Sequence, residues 1–107
     1  QLSPFNPVQA LCSAKRDESE GADIIMVKPA GLYTDIIALL KDEIERPIAA
    51  YQVSGEYAAI ELLSERGILD QSKAHMEAWA ALQRSGATII ISYAAEKAKE
   101  WIDKYEY

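Results

Sequence analysis

Positive charge, cysteine and long apolar runs are all scarce in this sequence. Eleven Lys and Arg residues face 17 Asp and Glu residues, which gives a formal net charge of -6, and an acidic chain repels the phosphate backbone of nucleic acids. No apolar stretch approaches the roughly 20 residues that a membrane-spanning helix requires. The single cysteine, Cys12, excludes an internal disulfide and a thiolate metal cluster. We therefore predict no nucleic-acid partner, no membrane segment and a reducing, cytoplasmic compartment.

The residues that are present suit a folded domain. Half of the 107 residues are hydrophobic and 26% are charged, which is ordinary for globular chains and unlike disordered ones. The length fits one domain at most. The chain starts at Gln1 and not at a methionine, and the turn formers Ser3, Pro4 and Asn6 follow at once. We interpret it as a piece of something longer.

Three short segments rich in β-branched residues predict strands at residues 23–28, 48–54 and 88–93. None of them alternates cleanly between apolar and polar residues, so we expect both faces of the strands to be covered. This pattern is typical of a parallel sheet with flanking helices.

Helical periodicity surrounds these strands and predicts helices at residues 7–20, 33–46, 55–65, 70–86 and 94–105. The second helix must end near Arg46, because Pro47 restricts the residue before it. Asp70 is the expected N-cap of the fourth helix, and Gly86 its end. The order helix, strand, helix, strand, two helices, strand, helix favours right-handed βαβ crossovers and an α/β fold.

The number of strands points to a larger architecture. Three parallel strands leave two open edges, which small domains seldom tolerate. A closed TIM (β/α)8 barrel has no edges. We therefore predict that the chain is part of such a barrel, supplying three of its eight strands together with their flanking helices.

Polar side chains follow each predicted strand: Lys28, Ser54 and Tyr93. Ligands of parallel α/β folds bind at the carboxyl ends of the strands. Burial at such a position lowers the pKa of an ammonium group, and an unprotonated lysine forms Schiff bases with ketones and aldehydes. Ser54 precedes a predicted helix, whose N-terminus favours an anion such as a substrate carboxylate.

Each of these side chains also has a structural interpretation. Lys28 could be a solvated charge, Ser54 only a helix cap and Tyr93 a half-buried aromatic. We expect His75 to be a solvated helix residue, because it has no ligand-spaced partner. Cys12 is expected to be a small buried residue.

Three strings of the sequence carry a family resemblance: GADIIMVKPAGLYTDII (residues 21–37), AAYQVSGEYA (49–58) and RSGATIIISYAAE (84–96). They closely resemble the porphobilinogen synthase family, also called aminolevulinate dehydratase, in register along nearly the whole chain. The resemblance implies that residues 1–107 are the C-terminal part of a single (β/α)8 barrel domain. It also implies a lyase that condenses two aminolevulinate molecules to porphobilinogen in tetrapyrrole and haem biosynthesis.

The resemblance also implies a role for each strand-end side chain. Lys28 matches the lysine that forms the Schiff base with the substrate bound first. Ser54 and Tyr93 match the hydroxyl groups that hold the carboxylate of that substrate. Gln1 matches a glutamine at the edge of the active-site lid, which reaches the second substrate.

Other parts of the family's machinery are missing from the chain. A second active-site lysine, lid arginines and, in many members, a zinc-binding cysteine cluster lie upstream of Gln1. Ser13 stands where some bacterial members have a magnesium-binding glutamate, so we expect no metal ligand in this segment. Zinc or magnesium remains an expectation for the full-length enzyme, as does the homo-oligomer that the family forms through an N-terminal arm.

These absences lead us to expect that the isolated chain is inactive. The principal alternative is a non-catalytic fragment or interaction module that self-associates through its open sheet edges. A generic aldolase-like Schiff-base enzyme is a third interpretation; it would share Lys28 but would not select aminolevulinate.

Overall fold

The computed structural model describes residues 2–105, and over that range the chain forms five α-helices, three β-strands and one short 3-10 helix. The elements are, in chain order, α1 (Pro7–Ser19), β1 (Ile25–Val27), α2 (Thr34–Glu43), β2 (Ile48–Gln52), α3 (Ser54–Glu65), α4 (Gln71–Ser85), β3 (Ile89–Ser92), the 3-10 helix (Ala95–Lys97) and α5 (Ala98–Lys104). The predicted order of helices and strands is confirmed. The 3-10 helix at the start of the last helical segment was not predicted.

The three strands form one parallel sheet in the order β1-β2-β3. Ala49 of β2 lies beside Met26 of β1 on one side and beside Ile89 of β3 on the other. Sequential parallel neighbours joined by helices are the repeating unit of the (β/α)8 barrel. The α/β class and the three parallel strands predicted from the sequence are thereby confirmed.

Local signals in the sequence fix several helix ends. The side chain of Asn6 accepts a hydrogen bond from the backbone N–H of Val8 at 3.1 Å, which caps α1. Asp70 Oδ1 accepts one from the N–H of Lys73 at 3.1 Å, and this confirms Asp70 as the N-cap of α4. Gly86 ends α4 with a φ of 131°, a backbone conformation that glycine adopts without a steric penalty.

The hydrophobic core lies between one face of the sheet and the helices. Ile37, in the middle of α2, is fully buried. The buried cluster contains Ile25, Val27, Ile48 and Ala50 of the sheet, Ile36, Ile37 and Leu40 of α2, Ala14 of α1 and Leu82 of α4. Helix packing on this face fixes the three strands, and with them the loops at their carboxyl ends.

The opposite face of the sheet is open in the part of the chain that the structure describes. Met26, Ile89 and Ile91 alternate with core residues along their strands and are 49%, 37% and 38% exposed. The prediction that both faces are covered is therefore wrong for these residues taken alone. The physical reason is that all the packing helices of this segment lie on one side, whereas the interior of a barrel is covered by its other strands.

Two further predictions concern the burial of Cys12 and the absence of a membrane-spanning helix. Cys12 is exposed, and the prediction of a buried cysteine is wrong because Ala14, not Cys12, is the α1 residue that enters the core. Among residues 2–105, no helix is both long enough and apolar enough to cross a membrane.

Candidate active site

The three polar strand-end residues lie at the same edge of the sheet. Lys28 directly follows β1 and Tyr93 directly follows β3, while Ser54, two residues after β2, is the first residue of α3. Because the strands are parallel and paired in register, their carboxyl ends meet at this edge. We call this edge, with the loops that follow it, the rim.

Tyr51 links Lys28 to Tyr93. The Lys28 Nζ atom lies 5.9 Å from the centroid of the Tyr51 ring, within range of a cation–π contact. The hydroxyl oxygens of Tyr51 and Tyr93 are 3.4 Å apart. Ser54 is exposed on the same rim, and within the described residues its hydroxyl is not hydrogen-bonded to Lys28 or Tyr93.

The two tyrosine hydroxyls influence one another electrostatically. The hydrogen bond between them, the proximity of the Tyr93 hydroxyl and a small degree of burial raise the pKa of Tyr51 above its usual value of 10.0. Tyr51 is therefore protonated near neutral pH and can act as a hydrogen-bond donor. The sequence contained a signal for this residue, since Tyr51 shares a sheet face with Met26 and Ile91 and is one residue from the end of β2.

A cluster of aromatic rings lies behind the rim. The Tyr57 ring packs 5.7 Å from Tyr93 and 5.7 Å from His75. His75 is fully buried between the rings of Tyr57, Trp79 and Trp101. The prediction of a solvated His75 is wrong, because the inner side of α4 faces α3 and α5 and not solvent.

Neither ring nitrogen of His75 has a hydrogen-bond partner within the described part of the chain. The Nε2 atom lies 3.5 Å from Glu61 Oε2, which is longer than a normal N–H···O bond. Hydrogen bonds from the Gln71 side chain are the main reason that the pKa of Glu61 is lowered below 4.5. The Glu61 carboxylate in turn raises the pKa of Tyr57.

Gln52 organises the end of β3 from inside the sheet. It is only 2% exposed, and its Oε1 atom accepts hydrogen bonds from Ser92 Oγ at 2.5 Å and Trp79 Nε1 at 3.3 Å. Ser92 Oγ also accepts a bond from the N–H of Ala94 at 3.1 Å. These bonds hold both neighbours of Tyr93. Gln52 was not among the predicted site residues, although its polar side chain within an apolar strand is a signal in the sequence.

Glu56 connects two of the loops at the rim. Its Oε1 atom accepts a hydrogen bond from the N–H of Gly31 at 2.7 Å, and its Oε2 atom accepts one from the N–H of Val53 at 2.8 Å. Gly31 belongs to the loop after Lys28, and Val53 immediately precedes Ser54. Glu56 was not among the site residues predicted from the sequence.

Three further predictions concern the burial of Lys28, the position of Gln1 and the presence of a metal site. Lys28 is exposed, so the described residues do not bury it as the sequence analysis expected. Gln1 lies outside the described residues. Between residues 2 and 105, no three His, Cys, Asp or Glu side chains are grouped so that they could hold a metal ion. These residues therefore do not fit zinc or magnesium, and we derive no step through a metal.

The fold and the rim define a class of protein: part of an α/β barrel that carries a lysine, a serine and paired tyrosines at the carboxyl ends of its strands. A sequence model of the delta-aminolevulinic acid dehydratase family matches residues 1–101. The chain belongs to this family, which is also called porphobilinogen synthase. The resemblance noted in the sequence is thereby confirmed.

Individual relatives give the same result. The chain is 47% identical over 102 residues to the chloroplastic delta-aminolevulinic acid dehydratase of Physcomitrium patens. This match covers 95% of the chain and 24% of the relative. It is 50% identical over 95 residues to the Chlamydia pneumoniae dehydratase, covering 89% of the chain and 29% of the relative. The chain thus spans about a quarter of the length of these curated relatives.

A solved structure supports the partial barrel. The delta-aminolevulinic acid dehydratase of Toxoplasma gondii ME49, in complex with the reaction product porphobilinogen, superposes with a TM-score of 0.93 at 33% identity. The match covers 100% of this chain and 32% of that one. The three strands and their helices therefore have the arrangement of a segment of that enzyme.

Proposed function

We propose that the chain is the C-terminal segment of a porphobilinogen synthase, a lyase that condenses two aminolevulinate molecules to porphobilinogen in tetrapyrrole biosynthesis. The observation that carries this proposal is the meeting of Lys28, Tyr51 and Tyr93 on one rim, in a chain that belongs to the family. We use "complete polypeptide" for this segment together with the rest of the barrel.

In this proposal Lys28 is the nucleophile. Its unprotonated Nζ attacks the keto carbon of the first aminolevulinate, the carbonyl oxygen leaves as water, and a Schiff base joins enzyme and substrate. The Schiff base then holds the first substrate while carbon–carbon and carbon–nitrogen bonds form to the second. Gln1 is assigned to the second substrate by resemblance alone.

Ser54 and Tyr93 hold the carboxylate of the first substrate. Both are hydroxyl donors on the rim, and Ser54 is at the N-terminus of the 12-residue helix α3, where unpaired N–H groups favour an anion. The pair formed by Tyr51 and Tyr93 keeps a hydroxyl hydrogen available, because one hydroxyl donates to the other and one hydrogen is left over.

The isolated chain is expected to be inactive. Two ammonium groups held close together lower one another's pKa, and by resemblance the second active-site lysine lies outside this chain. The described residues leave Lys28 exposed, so they do not supply the burial that the sequence analysis expected around this amine. We also propose that any zinc or magnesium of the enzyme, and the contacts of its homo-oligomer, lie outside this segment.

A cytoplasmic location is part of the proposal. The Physcomitrium patens relative is named as chloroplastic, so location of the complete polypeptide by fractionation is the direct test.

The decisive experiment is to trap the Schiff base. The complete polypeptide is incubated with aminolevulinate, reduced with borohydride and mapped by mass spectrometry, and we expect the adduct on Lys28. Lys28→Arg should abolish the adduct, whereas Lys73→Arg, on helix α4 and not at a strand end, should not. An adduct on Lys41 or Lys73 with none on Lys28 would contradict the assignment.

The same experiment distinguishes a porphobilinogen synthase from a generic aldolase-like Schiff-base enzyme. A generic aldolase-like enzyme would also be trapped at Lys28 by small ketones and aldehydes without a carboxylate. Because the proposed site binds a carboxylate through Ser54 and Tyr93, we expect trapping at low concentration only with aminolevulinate and closely related keto acids. Equal trapping with acetone would favour the generic enzyme.

A second candidate function, a self-associating module without catalysis, has one specific observation in its favour. Met26, Ile89 and Ile91 form an exposed apolar face on a sheet whose two edges are unpaired within residues 2–105. Association without any borohydride-trapped adduct in the complete polypeptide would favour the module over the enzyme.

A further inference from the structure

The strongest unassigned feature of the rim is the pair of backbone hydrogen bonds made by Glu56. Each carboxylate oxygen accepts one N–H group, from Gly31 at 2.7 Å and from Val53 at 2.8 Å. Hydrogen bonds to an ionised carboxylate are shorter and roughly twice as strong as those between neutral groups. One side chain thus holds two segments that are far apart in sequence.

The two segments carry different parts of the proposed site. Gly31 is three residues after Lys28, and Val53 directly precedes Ser54. The loop containing Gly31 is also fixed by the N–H of Ala30, which donates to the carbonyl of Tyr51 at 3.0 Å. The position of Lys28 relative to Ser54 therefore depends on the bonds between these two loops.

The absence of a side chain at Gly31 is part of the same contact. A Cβ atom added at this glycine would lie within van der Waals overlap of Glu56 Oε1, and 3.3 Å from its carboxyl carbon. The φ of Gly31 is not positive, so backbone conformation is not the reason for a glycine here. The close approach of the carboxylate is a sufficient reason, because a Cβ at this position would displace the end of the Glu56 side chain from its bond to Gly31.

We propose that Glu56 is a positioning residue that sets the distance between the Schiff-base lysine and the carboxylate-binding serine by bonding both loops. Glu56 touches neither substrate nor the reacting atoms; it acts through the backbone that carries Lys28 and Ser54. This inference rests on the proposed function. It adds a determinant of substrate length, since a keto acid must span the interval between the amine and the hydroxyl.

A change in the distance between the Lys28 amine and the Ser54 hydroxyl should lower the rate of Schiff-base formation, with little effect on the stability of the fold. Displacement of a reacting group by about 1 Å can reduce a rate by about a hundredfold. In Glu56→Gln one acceptor oxygen becomes an NH2 group, which faces an N–H donor and cannot bond it. One of the two Glu56 bonds is then lost, and the loop that made it can shift, while the bond from Ala30 to Tyr51 and the rest of α3 remain.

The test compares variants of the complete polypeptide by the rate of borohydride trapping at saturating aminolevulinate. We expect Glu56→Gln to lower this rate at least tenfold, and Gly31→Ala to lower it to a similar extent because its Cβ displaces the carboxylate. The double variant should be little worse than either single variant, because both remove the same link. Glu65→Gln, at the exposed C-terminal end of α3, is the matched control and should react at the wild-type rate.

Substrate length gives a readout that a general loss of stability would not change. The ratio of trapping rates for aminolevulinate and for the keto acid one methylene longer should shift toward the longer acid in Glu56→Gln, but not in Glu65→Gln. An unchanged ratio together with a wild-type rate would overturn the proposal. If Glu56→Gln does not fold, Gly31→Ala carries the test, and a folded Gly31→Ala protein with wild-type rate and ratio overturns it equally.

The outcome is distinguishable from failure of the proposed function. If the wild-type polypeptide gives no adduct at Lys28, the proposed function fails before Glu56 is tested. If the wild type is trapped at Lys28 and Glu56→Gln is trapped equally fast with the same preference, only the role of Glu56 fails.

Discussion

Tyr93 meets different neighbours with its ring and its hydroxyl. The ring packs against Tyr57 with 5.7 Å between centroids, while the hydroxyl oxygen lies 3.4 Å from that of Tyr51. The Ser92 hydroxyl accepts a hydrogen bond from the N–H of Ala94, which joins the residues on either side of Tyr93. The ring is therefore fixed independently of the hydroxyl, so that removal of the hydroxyl alone is a clean experiment.

We expect Tyr93→Phe in the complete polypeptide to weaken binding of the first substrate while leaving proton transfer unaffected. The hydroxyl would donate to a charged carboxylate, and loss of such a bond costs about 1.5 to 3 kcal/mol; Ser54→Ala should have an effect of similar size. Tyr57→Phe is the control, since it keeps the ring against Tyr93 and removes a hydroxyl influenced by Glu61. Unchanged affinity in Tyr93→Phe would refute the carboxylate role.

His75 is a second residue whose environment suggests a measurement. It is completely buried against Tyr57, Trp79 and Trp101, with both ring nitrogens lacking hydrogen-bond partners in residues 2–105. A buried polar group without a partner destabilises the folded state, whereas its removal with retention of shape is close to neutral or favourable.

We predict that His75→Phe leaves the opening free energy of α3 and α4 unchanged or raises it, because the ring contacts remain and the unpaired nitrogens are removed. His75→Ala should lower it by roughly 2 to 4 kcal/mol through the cavity it leaves. Amide hydrogen exchange of the two helices measures both. A large loss in His75→Phe would contradict this prediction and would show that the contact of Nε2 with Glu61, or a bond to a group beyond the described residues, stabilises the fold.

Sequence reasoning reached the rim residues only in part, for a physical reason. Lys28, Ser54 and Tyr93 could be placed because strand ends follow from local composition. Gln52 and Glu56 could not, since their roles arise from contacts with residues 40 and 25 positions away. The burial of His75 likewise depends on Trp101, whose position requires the packing of a different helix.

The antiparallel neighbours α3 and α4 are joined by a side-chain contact near their connecting loop. The Gln71 amide donates to both carboxylate oxygens of Glu61, at 3.0 and 2.9 Å. These bonds are the main cause of the lowered pKa of Glu61. A carboxyl group whose folded-state pKa is lowered stabilises the fold above its unfolded value, and this contribution is lost as the pH falls through the folded value.

We therefore expect Gln71→Ala to destabilise α3 and α4 most near neutral pH. The difference in opening free energy between the variant and the wild type should shrink as the pH falls below 4.5, the ordinary pKa of a glutamate. The reason is that protonated Glu61 is no longer stabilised by the hydrogen bonds from Gln71. Hydrogen exchange at several pH values, corrected for intrinsic rates, measures this. Gln83→Ala, an exposed change on the same helix, should be independent of pH; a pH-independent effect in Gln71→Ala would contradict the linkage.

Element boundaries show which local signals were sufficient. Asp70 and Gly86 bound α4 as predicted, since caps act over three or four residues. The strands were predicted too long: β1 covers Ile25–Val27 within the predicted residues 23–28. A strand extends only as far as its neighbour pairs with it, and the register with Ile48–Ala50 is a tertiary property.

For the molecule as a whole, the apolar sheet face is the feature with the largest consequence. Met26, Ile89 and Ile91 are partly exposed there, and β1 and β3 each pair on one side only within the described residues. Exposed apolar faces and unpaired strand edges favour association.

We expect the chain on its own to self-associate, as measured by light scattering. Ile91→Lys places a charge on the open face and should reduce the mean size of the assemblies. Leu32→Lys, at a position that is 83% exposed and outside the sheet, is the matched control and should not. A monodisperse wild-type monomer with strong amide protection in all three strands would show that the segment completes its own core.

The three strands occupy only part of the circumference of the barrel. A ring of eight strands gives each about 45 degrees of the circumference, so the three described strands form an arc of about 135 degrees. Lys28 and Tyr93 stand at the two ends of that arc, with Tyr51 between them. One arc can thus capture the first substrate, whereas a second molecule that approaches from across the opening meets the other, larger arc. In the proposed reaction, capture of the first substrate would then depend mainly on this arc, whereas condensation would need residues of both arcs.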